Sequence, residues 1–199
     1  MTHYFSKPDL IAQNRREIAF RFLGILSSFV VDDGIFSKDK ADFGSLLLVE
    51  TVLNRHSNGL LLDLGAGYGL MSILLKQHQN QFEVTGLEIN SRALDCAIQS
   101  SHKQNLDIQF EEKDVTENFE GYYDIIVTNP PIRAGKKVVE CFIQQGALHL
   151  KEDGSFYFVI RRQQGVASFV KYAQTQFKHC ERCVLKKGYE VWVAKYPLT

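Results

Sequence analysis

The sequence lacks three features that would place it in a specialised class of proteins. It has no net charge, because 23 Lys and Arg residues balance 23 Asp and Glu residues. It has no apolar run close to the roughly twenty residues that a membrane-spanning helix needs. Its first residues lack the apolar core of a signal peptide, so we expect a cytoplasmic protein. Its hydrophobic fraction of 45% is that of a globular chain and excludes disorder.

Cysteine is also scarce, and its arrangement does not predict a metal site. Cys180 and Cys183 form one C-x-x-C pair, whereas a structural zinc site usually needs two such pairs. Apolar and polar residues alternate from 179 to 185, which favours a strand with the two thiols on opposite faces. We therefore expect no metal, and we expect reduced thiols.

Although the net charge is zero, positive and negative side chains are distributed unevenly along the chain. Residues 60–131 carry 4 Lys and Arg against 11 Asp and Glu, a net charge of −7. Residues 133–199 carry 12 against 5, a net charge of +7. The basic third of the chain is suited to binding phosphates of a nucleic acid, although the same charges also suit a solvated surface.

The order of apolar segments predicts an α/β fold. We expect strands at about 60–64, 82–88, 107–111, 123–128 and 155–161, alternating with helices at about 69–78, 91–103, 136–150 and 165–176. Two final strands, at about 178–186 and 189–196, predict a C-terminal antiparallel hairpin. The result is a Rossmann-like, seven-stranded, mostly parallel sheet with helices on both faces.

The first 56 residues are not needed for such a sheet. Residues 18–31 predict a small β-hairpin that turns near Gly24 or near Ser27 and Ser28, and residues 41–53 predict a helix. We expect residues 1–56 to form an N-terminal extension that packs on the core without folding independently. Residues 57–199 then form the main domain.

A glycine-rich turn follows the first strand of this domain. The pattern is D-x-G-x-G-x-G, from Asp63 to Gly69, rather than the dinucleotide fingerprint G-x-G-x-x-G, whose third glycine would replace Leu70. Such a turn brings the backbone close to a ligand at a helix N-terminus. An acid before the first glycine suits a ligand with an ammonium group better than a pyrophosphate. Glu88, at the end of the second strand, is placed to accept hydrogen bonds from ribose hydroxyls.

A second motif, Asn129-Pro130-Pro131, follows the apolar run at 123–128. Two prolines remove two backbone donors and fix the direction of the carbonyls. The asparagine side chain and a proline carbonyl then face the crevice beyond the strand, where open α/β sheets bind ligands. An amide oxygen and a rigid carbonyl at that position are able to accept both hydrogens of an exocyclic amino group.

Together these motifs resemble those of class I S-adenosylmethionine-dependent methyltransferases, in the subgroup with Asn-Pro-Pro after the fourth strand. Within it, the chain is similar to the small-domain enzymes of the ribosomal RNA small subunit methyltransferase C type, which methylate guanine N2. That closer similarity rests on residues 36–44 and 129–137 and on the order of elements from about 4 to 196.

The resemblance implies the cofactor S-adenosylmethionine and an RNA substrate, ribosomal RNA or the small ribosomal subunit. It implies cofactor binding by Asp63, Gly65, Ala66, Gly67, Gly69, Glu88, Ile89, Asp114, Val115 and Asn129. Glu111 and Glu112 compete with Asp114 as the acid near the adenine. It implies catalysis by Asn129, Pro130 and Pro131. The candidates for the substrate are Phe36, Ile132, Arg133, Lys136, Arg161 and Arg162.

Other acceptors and other classes of function remain open at this point. Adenine N6 or a protein glutamine would use the same Asn-Pro-Pro chemistry, but relatives with those substrates usually have an aromatic residue where this chain has Ile132. A nicotinamide-dependent oxidoreductase is disfavoured by Leu70. A non-catalytic RNA-binding module is disfavoured because Asp63, Glu88 and Asn129 are all present.

Overall fold

A computed structural model describes residues 14–33 and 41–198 and places their strands and helices in layers. The strands are β1 (Arg15–Phe22), β2 (Ile25–Asp32), β3 (Gly59–Leu64), β4 (Phe82–Glu88), β5 (Ile108–Glu112), β6 (Tyr123–Thr128), β7 (Leu150–Arg161), β8 (Phe177–Lys186) and β9 (Tyr189–Pro197). The helices are α1 (Phe43–Leu53), α2 (Leu70–His78), α3 (Ser91–Lys103), α4 (Lys136–His149) and α5 (Val166–Gln176).

Seven of these strands form the predicted Rossmann-like sheet, in the order β5-β4-β3-β6-β7-β9-β8. The first five of that order pair in parallel, and β9 runs antiparallel to both of its neighbours, β7 and β8. The predicted C-terminal hairpin is thereby confirmed. The chain order reverses between β3 and β6, and ligands of open α/β sheets bind at the carboxyl ends of the strands beside such a reversal.

The sheet is covered on both faces because its central strands are apolar on both sides. In β7, Tyr157 and Val159 pack into one buried cluster with residues of α1, α2, α3 and the N-terminal hairpin. Phe156 and Phe158, on the opposite face, pack into a second cluster with residues of α4 and α5. This alternation is the period of two expected for a strand.

The N-terminal hairpin is a separate two-stranded sheet that lies against α3. The Val30 N–H donates to Ser100 Oγ over 2.8 Å. Ion pairs join Arg15 to Asp95 and Lys103 to Glu17. The turn lies at residues 23–24, both with positive φ, which matches the twist of a two-residue hairpin. The predicted turn near Gly24 is therefore confirmed, and the alternative near Ser27 and Ser28 is wrong.

The start of β7 differs from the sequence-based expectation. β7 begins at Leu150 rather than near 155, because Leu150 pairs with Tyr123 before an irregularity shifts the register. α3 begins at Ser91 as predicted, and its cap is Asn90, whose side chain accepts from the N–H groups of Arg92 and Ala93.

Neither a bilayer-crossing helix nor a metal-binding cluster is found in the part of the chain that the structure describes. No helix there combines the length and apolar character needed to cross a membrane. No three His, Cys, Asp or Glu side chains of residues 14–33 and 41–198 are grouped so that they could hold a metal ion. The four cysteines are free thiols.

Candidate active site at the carboxyl edge of the sheet

The glycine-rich turn joins β3 to α2 and opens onto empty space. Gly65, Gly67 and Gly69 all have positive φ, at 76°, 59° and 82°, which favours glycine at each position. The N–H groups of Gly65 and Ala66 both donate to the Leu87 carbonyl over 2.9 Å, so the turn is tied to β4. A Cβ atom added at Gly67 would meet nothing within 4 Å. The backbone at Gly67 is therefore open to a ligand.

Glu88 connects this turn to the end of β4. One carboxylate oxygen accepts from the Gly67 N–H and the other from the Asn90 N–H, both over 2.8 Å. Burial raises the pKa of Glu88, and these backbone hydrogen bonds act in the opposite direction. Each carboxylate oxygen has a second lone pair, so hydroxyl groups of a ligand are able to bind there without breaking either bond.

Asp63 is a fully buried acid whose hydrogen bonding is incomplete. Its Oδ2 accepts from the Ser72 N–H over 3.1 Å and from the Ser72 hydroxyl over 2.7 Å. Its Oδ1 has no hydrogen-bond partner among the described residues. Burial raises the pKa of Asp63 to about 7, and the nearby Glu88 carboxylate adds to that effect. A buried acid with one unsatisfied oxygen is suited to a positively charged ligand group.

The remaining residues predicted to bind a cofactor follow β4 and β5. The Lys113 N–H donates to the Glu88 carbonyl over 3.1 Å, which holds the two strand ends together. Asp114 Oδ1 accepts from the Thr116 N–H and hydroxyl, at 2.8 Å and 2.7 Å, in a local turn. Val115 is buried, and Ile89 and Asp114 are partly exposed. Glu111 and Glu112 are exposed, so Asp114 is the least exposed of the three candidate acids.

Asn129 lies directly after β6, beside the end of β3. The preceding Thr128 is buried and donates its hydroxyl to the Leu64 carbonyl over 2.8 Å. Pro130 is buried and Pro131 is partly exposed, and a short 3-10 turn at Ile132–Ala134 leads into α4. Ile132 packs against the core cluster beneath α4. The two prolines thus hold a rigid exit from the sheet.

Asp42 and Ser45 complete the surroundings of Asn129, and sequence reasoning did not assign them to the site. Asn129 Nδ2 donates to Asp42 Oδ2 and to Ser45 Oγ, both over 2.9 Å. Asp42 is also the N-cap of α1 and accepts from the Ser45 N–H over 2.8 Å. Asp42 lies within residues 36–44, which contribute to the family resemblance, but an acid at a helix start by itself indicates a cap rather than a contact with the Asn-Pro-Pro motif.

Tyr68 is a third residue of the site that sequence reasoning missed. Its ring packs edge-on against Phe29 of the hairpin at a centroid distance of 5.8 Å. Its hydroxyl is buried without a hydrogen-bond partner among the described residues. Burial and the nearby Asp42 carboxylate both raise the pKa of Tyr68, so the phenol keeps its proton and remains a donor.

The cationic candidates divide into paired and unpaired side chains. Arg162 and Arg182 both lie 3.5 Å from the buried Glu190 carboxylate, and Lys136 lies 3.5 Å from Glu140. Arg133 is exposed on the short turn after Pro131. Arg162 and Lys136 are therefore partly neutralised by the protein itself.

Two other cations lie over aromatic rings near the start of α1. The Arg161 guanidinium is 5.9 Å from the centroid of the Tyr189 ring, and Lys187 Nζ is 4.9 Å from that of Phe43. The two rings are 5.7 Å apart, and a Cβ atom at Gly44 would come within 2.7 Å of Tyr189. This aromatic pair therefore adjoins the segment that carries Asp42. Phe36, the predicted base-packing residue, lies outside the described residues.

Comparisons with known proteins agree with this geometry. The sequence model of the family described as "Methyltransferase small domain" matches residues 27–193. The chain is 31% identical over 196 residues to the uncharacterized protein YbxB of Bacillus subtilis, covering 97% of this chain and 98% of that protein. It is 30% identical over 154 residues to the ribosomal RNA small subunit methyltransferase C of Photobacterium profundum, covering 75% of this chain and 43% of that protein.

Solved structures show the same likeness. The chain matches Thermus thermophilus 16S rRNA N2 G1207 methyltransferase (RsmC), solved in complex with AdoMet and guanosine, with a TM-score of 0.84 and 28% identity. The match covers 95% of this chain and 52% of that one. A methyltransferase from Pyrococcus furiosus matches with a TM-score of 0.65 at 16% identity, which shows the fold alone. The chain thus spans about half the length of the methyltransferase C relatives it matches.

Proposed function

Because this chain belongs to the methyltransferase small domain family, we propose that it transfers a methyl group from S-adenosylmethionine to guanine N2 of ribosomal RNA. The family and the Rossmann-like fold make it a class I S-adenosylmethionine-dependent methyltransferase. The observation that carries an amino-group acceptor is the Asn129 amide, whose Nδ2 faces Asp42 Oδ2 and Ser45 Oγ. Its oxygen is left to accept a hydrogen bond from an amino group of the substrate. The choice of guanine N2 is supported by the likeness to the methyltransferase C relatives.

The residues at the strand ends fit the cofactor. The unsatisfied Asp63 Oδ1 suits its ammonium group, and Glu88 suits its ribose hydroxyls. The backbone is open at Gly67, within the turn formed by Gly65, Ala66 and Gly69. The adenine would lie beside Ile89, Asp114 and Val115, which follow β4 and β5. When bound, the cofactor supplies a methyl group on a sulfonium, which is already an excellent leaving group. The protein therefore has to contribute mainly alignment and electrostatics.

Asn129 and Pro130 align the acceptor nitrogen. The lone pair of an aromatic amino group is delocalised into the ring, which makes the nitrogen a poor nucleophile. Hydrogen bonds from its two N–H groups to Asn129 Oδ1 and the Pro130 carbonyl favour sp³ geometry at the nitrogen. They also stabilise the positive charge that develops there, because both acceptors are held in place before the reaction. Pro131 keeps the Pro130 carbonyl in a fixed direction.

The RNA is proposed to approach over the basic part of this edge. A base inside a duplex cannot reach Asn129, so the target must be single-stranded or flipped out. Ile132 offers an apolar contact beside the reacting amino group, and Arg133 follows it on the exposed turn. Arg161 and Lys187, held on aromatic rings, are the better candidates for phosphates, because Arg162 and Lys136 already face carboxylates. A ribosomal RNA substrate would place the protein in the cytoplasm.

The division of the chain is part of the same proposal. Residues 57–199 hold the strand ends that would bind the cofactor, and residues 1–56 form an extension that depends on them. The packing of α1 and the hairpin into the cluster on one face of the sheet supports this dependence. Asp42 comes from the extension, so the extension would contribute directly to the site.

Transfer of a tritiated methyl group tests the proposal. Wild-type protein and the Asn129→Ala variant are incubated with unmodified ribosomal RNA, 30S particles, DNA and protein, and the products are digested and separated. We expect label in N2-methylguanosine, and a loss of about 100- to 1000-fold in the variant with cofactor binding retained. Label in N6-methyladenosine or methylglutamine would assign a different acceptor. Full activity of Asn129→Ala would refute the mechanism.

A further inference from the structure

We propose that Asp42 is a positioning residue for methyl transfer. It is the N-cap residue of α1, and its carboxylate fixes the orientation of the Asn129 amide through hydrogen bonds. The inference rests on the function proposed above and adds a residue from outside the sheet to it. Asp42 itself touches neither cofactor nor substrate in this role. It acts only through Asn129.

The geometry is a closed triangle of three polar groups. Asp42 Oδ2 accepts from the Ser45 N–H over 2.8 Å, from the Ser45 hydroxyl over 3.1 Å and from Asn129 Nδ2 over 2.9 Å. Because the Ser45 hydroxyl gives its hydrogen to Asp42, its oxygen is free to accept from Asn129 Nδ2 as well, again over 2.9 Å. The nitrogen end of the amide is therefore held between two acceptors.

The carboxylate makes the orientation of the amide one-sided. A terminal amide has two orientations related by a half turn, and its oxygen and nitrogen are nearly equal in size. A carboxylate only accepts hydrogen bonds, so the turned amide would set its oxygen against the oxygen of Asp42. Hydrogen bonds to an ionised acceptor are roughly twice as strong as neutral ones, which favours one orientation strongly. In that orientation the amide oxygen is available to the substrate.

The triangle is anchored by the packing of α1. Gly44 lies so close to the Tyr189 ring that an added Cβ atom would come within 2.7 Å of it. Leu47 and Leu48, one turn further on, are buried in the core cluster. The start of α1 therefore cannot shift away from β6 without disturbing the core. Asp42 is held in place by its helix, and Asn129 is held by Asp42.

Replacements at position 42 separate the capping role from the positioning role. Serine and asparagine are both good N-caps, so Asp42→Ser and Asp42→Asn preserve the helix start. Asp42→Asn keeps an acceptor of the same length without the charge, whereas Asp42→Ser is too short to keep the bond to Asn129. Thr51→Ala is the matched control, because it removes a buried hydroxyl that bonds only within α1.

The first measurement does not depend on any substrate. In protein labelled with ¹⁵N-asparagine, the Asn129 side-chain amide is identified by its loss in Asn129→Asp. We expect its hydrogens to exchange at least about tenfold faster in Asp42→Ser than in wild type, because the bond to the Asp42 carboxylate is lost. Thr51→Ala should leave the exchange unchanged. Equal exchange rates in Asp42→Ser and wild type would overturn the proposed contact.

The second measurement separates turnover from binding. We expect kcat to fall about 3- to 10-fold in Asp42→Asn and about 10- to 100-fold in Asp42→Ser, with cofactor affinity unchanged. A fall of the same size in Thr51→Ala would mean that α1 acts only through stability and would overturn the positioning role. Faster amide exchange with unaltered kcat would overturn it as well. If wild-type protein methylates no acceptor, the proposed function itself fails, and this role fails with it.

Discussion

Asp63→Asn offers a test of how the buried acid couples cofactor binding to stability. The change is nearly isosteric, and the asparagine oxygen is able to accept both hydrogen bonds that Ser72 donates to Asp63 Oδ2. What disappears is the charge and the acid's capacity to titrate. Because the wild-type pKa lies at about 7 rather than at the ordinary 3.8, its titration falls within an accessible range of pH.

The sign of the effect follows from the direction of the pKa shift. The folded protein keeps the Asp63 proton up to about pH 7, whereas the unfolded chain loses it near 3.8. The resulting stabilisation is complete below pH 3.8 and is lost as the pH rises through about 7. Between pH 5 and pH 8 the loss is roughly 3 kcal/mol of unfolding free energy. Asp63→Asn has no such titration. Its free energy of unfolding should therefore increase relative to that of wild type by roughly 3 kcal/mol between pH 5 and pH 8.

Urea unfolding of both proteins without cofactor, at pH 5 and pH 8, measures the difference. Calorimetry with S-adenosylmethionine supplies the second half of the test. Wild-type affinity should rise by about tenfold per pH unit from 5.5 to 7, as the ligand ammonium favours the ionised acid. The variant should bind roughly 10- to 100-fold more weakly at pH 7.5, with a flat profile below it. This account of Asp63 would be refuted if stability and cofactor affinity changed with pH in the same way in wild type and in Asp63→Asn.

Two further predictions concern the edge of the sheet. Glu88→Ala should weaken cofactor binding by roughly 1.5–3 kcal/mol in calorimetry, because ribose hydroxyls and the Gly67 N–H lose a charged acceptor. Glu83→Ala, exposed on the same strand, is the control, and equal affinities in the two variants would remove Glu88 from the site. Replacing Arg161 and Lys187 by Gln should lower the log–log salt slope of RNA binding by about 1.4, since each single-strand phosphate contact contributes about 0.7. The same change at Arg162 and Arg182 should alter the slope little, because Glu190 pairs with both. A larger decrease in slope for this second double variant than for the first would show that the RNA approaches elsewhere.

The fold was predictable because its signals are local. Each central strand is a short apolar run in the sequence. Neighbouring residues also determine the turns, at the glycine-rich motif, at Lys187–Gly188 and at Leu23–Gly24. The start of β7 was placed too late because the pairing of Leu150 with Tyr123 depends on an irregularity between two strands. No local pattern indicates such a register shift.

Only those residues of the candidate site that belong to a sequence motif were predictable. Asp63, Glu88 and Asn129 follow strands, so their arrangement at one edge follows from a parallel sheet. The contact of Asn129 with Asp42 joins residues 87 positions apart, and Asp42 alone indicates only a helix cap. The pairing of Arg162 with Glu190 and the position of Lys187 over Phe43 likewise depend on how β9 returns beside β7.

The contacts between α1 and β9, which are far apart in sequence, also constrain how the protein folds during synthesis. Leu48 of α1 shares its buried cluster with Val191 and Val193 of β9, near the opposite end of the chain. During synthesis α1 leaves the ribosome before β9, so the packing of Leu48 with Val191 and Val193 forms only after β9 has emerged. Contacts so distant in sequence also slow folding, because a long loop must close before they form. The side of α1 that faces β9 therefore stays uncovered until the last strands have been made, whereas the side that faces α2 is able to pack much earlier.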